Sequence, residues 1–345
     1  MRDVLVNVLL LLLEAGVALH VSRRRRFDQS QPLLVLVALG LAAAALGGMF
    51  RLMRVAAYVL FVHAPIGLAL LAFALRRRAP RLALASGVVS CALVLVAIDA
   101  FIMEPRALEV NHVSIASAKV PRALRIAVIS DIQFEDFGEH ERRALTLAME
   151  AKPDIVLFTG DYVQGRDRAG YRVAVAAMNA ELRALHFEAP LGAYAVRGNV
   201  DDEEWPWIFD GTKVTVLPQS RTFTAGGISI TSLDLEDSFD TKRPIAGAPG
   251  FHIVFGHGPD FALADVSADL LVAGHTHGGQ VQLPWIGPLV TLARVPRAWA
   301  SGATVLTGGR TLVVSRGIGM ERGEAPRVRF LCKPELVLID VAKVD

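Results

Sequence analysis

Two histidines separated by one residue, His275 and His277, lie in a glycine-flanked turn that follows an apolar run. The run from Leu270 to Ala273 predicts a short buried strand, and Gly274 ends it. Imidazole is the commonest metal ligand near neutral pH, and glycines let the backbone come close to a bound ion. The motif therefore predicts a metal site, although two polar loop histidines would show the same spacing.

Further polar side chains follow other apolar runs, each at the point where a predicted strand ends. In open α/β sheets, sites form at the carboxyl ends of strands, so we expect these side chains to converge. A mixed set of carboxylate, amide and imidazole ligands suits Mn, Fe or Zn, and the lack of thiolates disfavours a structural zinc site. The set is large enough for two ions that share one carboxylate. In chain order these residues are Asp131, Asp161, Asn199, Asp201 and His257.

The order of these motifs resembles that of the calcineurin-like metallophosphoesterase superfamily. That pattern is Asp-x-His, Gly-Asp, Gly-Asn-His-Asp/Glu, a lone His and Gly-His-x-His. The resemblance covers residues 124–341, and the segment Ser315 to Gly319 makes it similar to a branch of membrane-associated bacterial phosphoesterases. The matching motifs here are Asp131-Ile132-Gln133, Gly160-Asp161, Gly198-Asn199-Val200-Asp201, His257 and Gly274-His275-Thr276-His277-Gly278-Gly279-Gln280.

The resemblance implies a role for each matching residue in a site with two divalent ions. Asp131 and His277 would bind the first ion, with Gln133 as a further ligand. Asp161 would bridge both ions. The second ion would be held by Asn199, His257 and His275. Among these, Asp161, Asn199 and His275 are also implied to act in catalysis.

Two positions depart from the family pattern. Gln133 stands where the family has a histidine, and its neutral carbonyl would loosen or harden the first metal site. Val200 stands where the family has the histidine that protonates the leaving group or steadies the transition state. Either Asp201 or Asp202 assists instead, or the leaving group is acidic enough to depart unaided. A pyrophosphate or an aryl phosphodiester fits better than a simple alkyl ester.

The elements that would position these residues alternate between strands and helices in the first half of this region. Helical spacing at 141–151 and 171–185 separates apolar strands at 124–129, 155–158 and 193–196, which predicts an α/β layer. From Val214 onward strands dominate. The predicted fold is therefore an α/β (α+β layered) domain with two packed sheets flanked by helices. The later strands are predicted at 228–233, 253–255, 270–272, 312–315 and 336–341.

The first hundred residues have a different hydropathy pattern, with four long apolar runs. Each run approaches the ~20 residues that are needed to cross a bilayer core. Four buried helices in a soluble domain are the alternative, but they would leave that domain almost no polar surface. We predict a transmembrane four-helix bundle at 1–104, a linker at 105–123 and a metallophosphoesterase domain at 124–345. The four runs are Val4 to Val21, Pro32 to Phe50, Val55 to Leu75 and Leu82 to Met103.

Arginines in the short loops predict the orientation of this bundle. Arg23 to Arg26 follow the first run, and Arg76 to Arg78 with Arg81 follow the third. The loop between the second and third runs, on the opposite side, has fewer arginines, Arg51 and Arg54. The positive-inside rule places the first and third loops in the cytoplasm. The metallophosphoesterase domain is then extracytoplasmic, and the family branch implies a bacterial inner membrane.

Composition narrows the function further. A net charge of +2 gives no case for nucleic acid as a partner, and the two cysteines, Cys91 and Cys332, predict no disulfide framework. The expected partners are membrane lipid and a phosphate ester substrate. The resemblance to the metallophosphoesterases implies hydrolysis of a phosphodiester, phosphomonoester or pyrophosphate, with a lipid-linked phosphoester among the candidates. A catalytically impaired sensor domain coupled to the membrane bundle is the alternative.

Overall fold

The computed structural model describes residues 7, 11, 16 and 48–344, and these divide into two compact units. One unit contains the N-terminal helices together with Arg322–Arg327. The other comprises Glu104–Glu321 and Val328–Asp345. The first two apolar runs of the sequence, which end at Val21 and Phe50, lie almost wholly outside the described residues.

The other two apolar runs form long helices, Met49–Leu75 and Pro80–Arg106, each of 27 residues. Both are long and apolar enough to cross a bilayer. Core helices of a soluble protein would also pass this test, but they are mostly buried, whereas only 17% of the most apolar window of each helix is buried here. The two helices therefore favour membrane association. The first helix comprises α1 (Met49–Tyr58), a π-helical turn (Val59–His63) and α2 (Ala64–Leu75). The second comprises α3 (Pro80–Ile98), a π-helical turn (Asp99–Met103) and a 3-10 turn (Glu104–Arg106).

The second unit is built on two six-stranded mixed sheets. The strands of the first sheet are β1 (Glu109–Ser117), β2 (Leu124–Ile129), β3 (Ile155–Phe158), β4 (Ala193–Ala195), β5 (Val214–Val216) and β14 (Glu335–Lys343). Their spatial order is β1-β14-β2-β3-β4-β5, and only the β14–β2 pair is antiparallel. Helices α4 (Glu139–Glu150) and α5 (Arg168–Ala184) connect β2 to β3 and β3 to β4.

The second sheet has parallel strands at its centre and antiparallel strands at both edges. Its strands are β6 (Arg221–Ala225), β7 (Ile228–Ser232), β8 (Phe251–Phe255), β9 (Leu270–Ala273), β12 (Gly302–Val305) and β13 (Thr311–Val314). Their order is β12-β13-β9-β8-β7-β6. A short helix, α6 (Leu235–Phe239), follows β7, and a separate hairpin of β10 (Gln282–Leu283) and β11 (Gly287–Pro288) follows β9. Two sheets flanked by helices confirm the predicted architecture.

Alternate residues of the central strands contribute to different cores, because successive side chains of a strand point to opposite faces. In β2, Ile126 and Val128 belong to the core that also contains residues of the second sheet. Ala127 and Ile129 belong to the core shared with α4 and α5. Burial on both faces explains why these strands read as continuous apolar runs.

Part of the segment predicted as a linker, 105–123, is a strand instead. β1 pairs in parallel with β14 at the edge of the first sheet, from Glu109 opposite Glu335 to Ser117 opposite Lys343. Its residues alternate between partly buried and exposed, and none of them is fully buried. An edge strand of this kind carries polar residues along its length, so it lacks the apolar run by which the inner strands are recognised.

Candidate metal centre

The polar residues that follow five strands, three of the first sheet's and two of the second's, converge at one place. Asp161, His257 and His275 form one group, and Asp131, Asp161 and His277 form another. In each group the potential ligand atoms lie within 4.8 Å of one another. Asp161 is common to both groups, so the structure contains a buried Asp/His cluster that could hold two metal ions with one carboxylate shared.

Several of these residues have a backbone conformation that is rare outside glycine. Non-glycine residues seldom adopt positive φ, and each such residue costs on the order of 1–3 kcal/mol, which the surrounding fold must offset. Strain of this kind is concentrated at functional sites. Here it marks the turns after β2, β3 and β9. The φ angles are 49° at Asp131, 38° at Gln133, 57° at Asp161, 69° at His275 and 48° at His277.

Two glycines of the sequence motifs allow the carboxylates to approach other backbone segments closely. A Cβ at Gly198 would lie 2.1 Å from Oδ1 of Asp161. A Cβ at Gly274 would lie 2.4 Å from Oδ2 of Asp131. Real Cβ atoms do not come this close to another heavy atom, so any other residue would displace the carboxylate.

The amide of Asn199 links the two histidines of the first group. Its Oδ1 lies 2.8 Å from Nε2 of His257 and 2.8 Å from Nδ1 of His275. The other ring nitrogen of each histidine contacts a backbone carbonyl: Nδ1 of His257 lies 2.8 Å from the oxygen of Thr159, and Nε2 of His275 lies 3.2 Å from that of Leu292. A carbonyl can only accept, so each of these nitrogens donates. Such contacts orient metal-binding imidazoles in proteins.

His277 has a different environment. It is 4% exposed, and within the described part of the chain neither of its ring nitrogens has a hydrogen-bond partner. Its Nε2 lies 3.7 Å from Oδ1 of Asp131. Burial and the nearby charge of Arg329 hold the pKa of His277 well below its ordinary value. The ring is therefore neutral at neutral pH, which is the form that binds metals.

The two buried carboxylates respond to each other and to the histidines. Burial raises the pKa of Asp131 to about 7, against the lowering effect of His257, and Asp161 raises it further. Burial would also raise the pKa of Asp161, but the charge and hydrogen bond of His257 outweigh it and lower that pKa. Burial lowers the pKa of His257 in turn, and Asp161 raises it to about 9. The charge of Asp161 thus favours the protonated form of His257, whereas binding of a metal cation requires the neutral imidazole.

The pKa of His275, in contrast, is lowered, so its neutral form is favoured. Burial, followed by the charge of His257, lowers the pKa of His275 to about 4. Its backbone N–H donates to the carboxylate of Asp131 at 3.0 Å, so the histidine turn also positions the aspartate of the other group.

Gln133 is fully buried beside the shared carboxylate. Its Nε2 donates to Oδ2 of Asp161 at 3.3 Å and lies 3.5 Å from Oε2 of Glu321. Glu321 also accepts from Nε2 of Gln164 at 3.0 Å, and its backbone N–H donates to Oε1 of Gln280 at 2.9 Å. Sequence reasoning missed Glu321, because it follows no strand and belongs to no recognised motif.

Asp201 is buried, at 3% exposed, and its backbone carbonyl accepts from the guanidinium of Arg197. Its carboxylate accepts from the N–H groups of Asp161 at 2.8 Å, Tyr162 at 2.7 Å and Gly198 at 2.7 Å. Burial and the charge of Asp161 raise the pKa of Asp201 to about 6. The neighbouring Asp202 is exposed.

Comparison with known proteins gives these residues a family context. Residues 124–279 match the family model described as calcineurin-like phosphoesterase. The metallophosphoesterase YkuE of Bacillus subtilis (strain 168) is 32% identical over 274 residues, which cover 70% of this chain and 88% of YkuE. The phosphodiesterase YaeI of Escherichia coli (strain K12) is 29% identical over 211 residues, which cover 57% of this chain and 74% of YaeI.

A more distant relative has a lipid-like substrate in its name. The UDP-2,3-diacylglucosamine pyrophosphatase LpxG of Chlamydia trachomatis serovar D is 24% identical over 289 residues, which cover 63% of this chain and 83% of LpxG. The match to the family model includes all five strand ends that form the cluster. The chain therefore belongs to the calcineurin-like phosphoesterase family, and it is a metal-dependent phosphoesterase.

Proposed function

We propose that this enzyme is a membrane-anchored phosphoesterase with two metal ions, which hydrolyses a phosphodiester or pyrophosphate bond in preference to a simple alkyl monoester. The observation that carries the proposal is the position of Asp161, whose carboxylate lies in both ligand groups. A carboxylate that belongs to both groups could serve a pair of ions of the kind found about 3.5–4 Å apart in two-metal sites.

The residues present fit a pair of divalent ions. His277 is buried and neutral, and its ring nitrogens have no hydrogen-bond partner among the described residues, which costs free energy unless another group satisfies them. Two carboxylates are buried in the same cluster, and buried charges are normally paired or bound to metals. Oxygen and imidazole ligands without a thiolate suit Mn, Fe or Zn.

We assign Asp131, His277 and Gln133 to the first ion and Asn199, His257 and His275 to the second, with Asp161 between them. The ions would supply Lewis-acid activation of the phosphate and of an attacking water. The protein supplies the geometry: the carbonyls of Thr159 and Leu292 hold two of the imidazoles in place. We assign Asp201 a positioning role rather than a catalytic one, because its carboxylate is occupied by three backbone amides.

The choice of substrate follows from the position of Val200. Its side chain has no proton to give to a leaving group, and Asp201 beside it is occupied by backbone amides. Leaving groups that are already acidic, such as a phosphate or a phenol, need no such proton. LpxG is named as a pyrophosphatase of a diacylated nucleotide sugar, and a lipid-linked pyrophosphate or phosphodiester would satisfy the same requirement here.

We further propose that residues 1–104 anchor the domain formed by 124–345 in the bacterial inner membrane, through four helices. The two described helices support this anchoring. The arginines at 23–26, 76–78 and 81 outnumber Arg51 and Arg54 on the opposite side, and this excess favours an extracytoplasmic catalytic domain.

The test is a joint measurement of metal content and turnover on the purified full-length chain. The protein, in detergent, is loaded with Mn, Fe or Zn and offered a bis-aryl phosphodiester, an aryl phosphomonoester and a pyrophosphate. We expect about two ions per chain, as in other two-metal sites, and turnover of the diester or pyrophosphate. Asp161→Asn should lower turnover more than about 100-fold, because residues that only orient a ligand already contribute 10–100-fold.

Asp210→Asn is the matched control, since it makes the same chemical change at an exposed position outside the cluster. It should retain both metal and turnover. Bound metal without turnover of any substrate would contradict the enzymatic proposal and favour a sensor. Unchanged activity in Asp161→Asn would contradict the shared-carboxylate assignment.

A further inference from the structure

Residues 281–300, which we call the apolar insertion, connect the histidine turn to β12 and begin with the β10–β11 hairpin. Large apolar side chains remain exposed along it: Trp285 is fully exposed, and Ile286, Leu289 and Leu292 are 60%, 42% and 47% exposed. Single exposed apolar residues are common, but four between Trp285 and Leu292 concentrate apolar surface in one segment, as at interaction surfaces.

The insertion is attached to the domain at both ends and in its middle. Val281 bridges Phe330, and Oγ1 of Thr276 donates to the carbonyl of Ala300 at 2.6 Å. Between these points, Oδ1 of Asp260 accepts from the backbone N–H of Arg294 at 2.7 Å. The exposure of the apolar side chains is therefore set by defined contacts at the base of the insertion.

The charged side chains of the insertion itself are all basic. From Leu270 to Met320 the sequence contains no aspartate or glutamate, although the chain has 34 of them. Within the insertion, Arg294 and Arg297 are both exposed. Apolar and tryptophan side chains beside arginines, without acidic residues, match the boundary between acyl chains and anionic headgroups.

The insertion also contacts the metal cluster directly. The carbonyl of Leu292 lies 3.2 Å from Nε2 of His275, and Leu292 itself has a positive φ of 55°. If the domain were bound to a bilayer through this insertion, the metal cluster would lie beside the headgroup layer.

We propose that the apolar insertion docks on an anionic phospholipid bilayer, with Trp285 and Ile286 at the acyl boundary and Arg294 and Arg297 at the lipid phosphates. A bilayer fits better than a protein partner for two reasons. The same chain carries two helices of membrane-spanning length, and tryptophan is enriched at membrane interfaces. The inference goes beyond hydrolysis at the metal centre, because it concerns a second surface that the catalytic residues do not form.

Tryptophan fluorescence of the full-length chain tests this directly, because all four tryptophans, Trp205, Trp207, Trp285 and Trp299, lie outside the apolar N-terminal region. The chain is reconstituted in vesicles of phosphatidylcholine with bromine on the acyl chains near the headgroup, with and without phosphatidylglycerol. We expect brominated lipid to quench the emission and phosphatidylglycerol to increase the quenching. Trp285→Phe should lose most of the quenching.

Trp207→Phe is the matched control, because Trp207 is also exposed but lies in the 3-10 turn Trp205–Phe209. It should keep the quenching. The double variant Arg294→Gln and Arg297→Gln should lose the response to phosphatidylglycerol. Equal quenching in wild type and Trp285→Phe, or Trp285 emission that is quenched by aqueous iodide and not by brominated lipid, would overturn the proposal. Turnover of the soluble aryl phosphodiester by the wild type in the same vesicles shows whether the metal centre functions independently of that outcome.

Discussion

Oδ2 of Asp201 accepts a hydrogen bond from the backbone N–H of Asp161 at 2.8 Å. The buried carboxylate of Asp201 therefore fixes the backbone of Asp161, whose own carboxylate belongs to both ligand groups. The side chain of Asp201 also accepts from the N–H groups of Tyr162 and Gly198. It thereby joins the turn after β3, which carries Asp161, to the turn after β4, which carries Asn199. The distance between these two proposed ligands depends on this contact.

Asp201→Ala should therefore lower both stability and metal affinity. It leaves three buried N–H groups without an acceptor, and each such group costs roughly 1–3 kcal/mol. We expect the free energy of unfolding to fall by about 3 kcal/mol or more, and turnover to fall with it. Asp210→Ala, the same change at an exposed aspartate outside the cluster, should change stability by less than about 0.5 kcal/mol. Chemical denaturation of both variants checks this, and equal stability of the two would refute the positioning role.

Gln133→His should tighten the first metal site. The residue is buried beside Asp161, and an imidazole binds Zn or Fe more strongly than a neutral amide oxygen. We expect the affinity of the protein for the metal ion to rise by about tenfold, which is the size of effect that a single residue hydrogen-bonded to a metal ligand has on metal affinity. Equilibrium dialysis with metal analysis measures it. Gln164→His is the control, because the side chain of Gln164 donates to Glu321, a residue outside the two ligand groups. A similar gain in both variants would contradict a ligand role for position 133.

Gly198→Ala should abolish turnover through a steric effect. The new Cβ would lie 2.1 Å from Oδ1 and 2.2 Å from the backbone nitrogen of Asp161, so the aspartate must move. Gly170→Ala is the control: its Cβ would lie 3.4 Å from Asp167, and alanine is favoured over glycine in a helix by about 1 kcal/mol. We expect wild-type turnover and equal or higher stability for that variant. If Gly198→Ala binds two ions and turns over normally, the close approach is not required.

Arg329→Met should destabilise the domain strongly. The guanidinium is fully buried, and it donates to the carbonyls of Arg316, Gly319 and Cys332 at 2.6–3.1 Å. Removing it leaves these carbonyls without donors, at a cost of about 3–5 kcal/mol. Arg329→Lys should recover only part of the loss, because an ammonium lacks the planar set of donors. Arg143→Met, on the exposed face of α4, should leave stability unchanged. Equal unfolding midpoints for the two methionine variants would contradict this.

Much of the architecture is visible in the sequence. The inner strands are buried on both faces, so that their apolar runs stand out, and the polar residues at their ends stand out with them. Asp131, Asp161 and His257 each follow such a run, and the structure brings them together. β1 was missed as a strand for the opposite reason, because an edge strand with one exposed face carries no continuous apolar signal.

The residues that support the cluster could not be read in the same way. The carbonyls of Thr159 and Leu292 contact the rings of His257 and His275, and every residue has a carbonyl, so sequence gives no indication of which one is used. Thr159 and His257 are 98 residues apart in the chain. The motif predicts that Asp201 or Asp202 assists the leaving group, and only the packing of two turns shows three amides on the carboxylate of Asp201.

The sequence by itself determined which side chains end the strands and therefore which ligand types are available. The tertiary structure decided which of them lie together in one group, which atoms contact each imidazole, and which carboxylate is occupied by the backbone. The physical reason is that ligand type is a local property of the chain. Hydrogen-bond partners, burial and the pKa shifts that follow from them depend on groups brought together from distant strands.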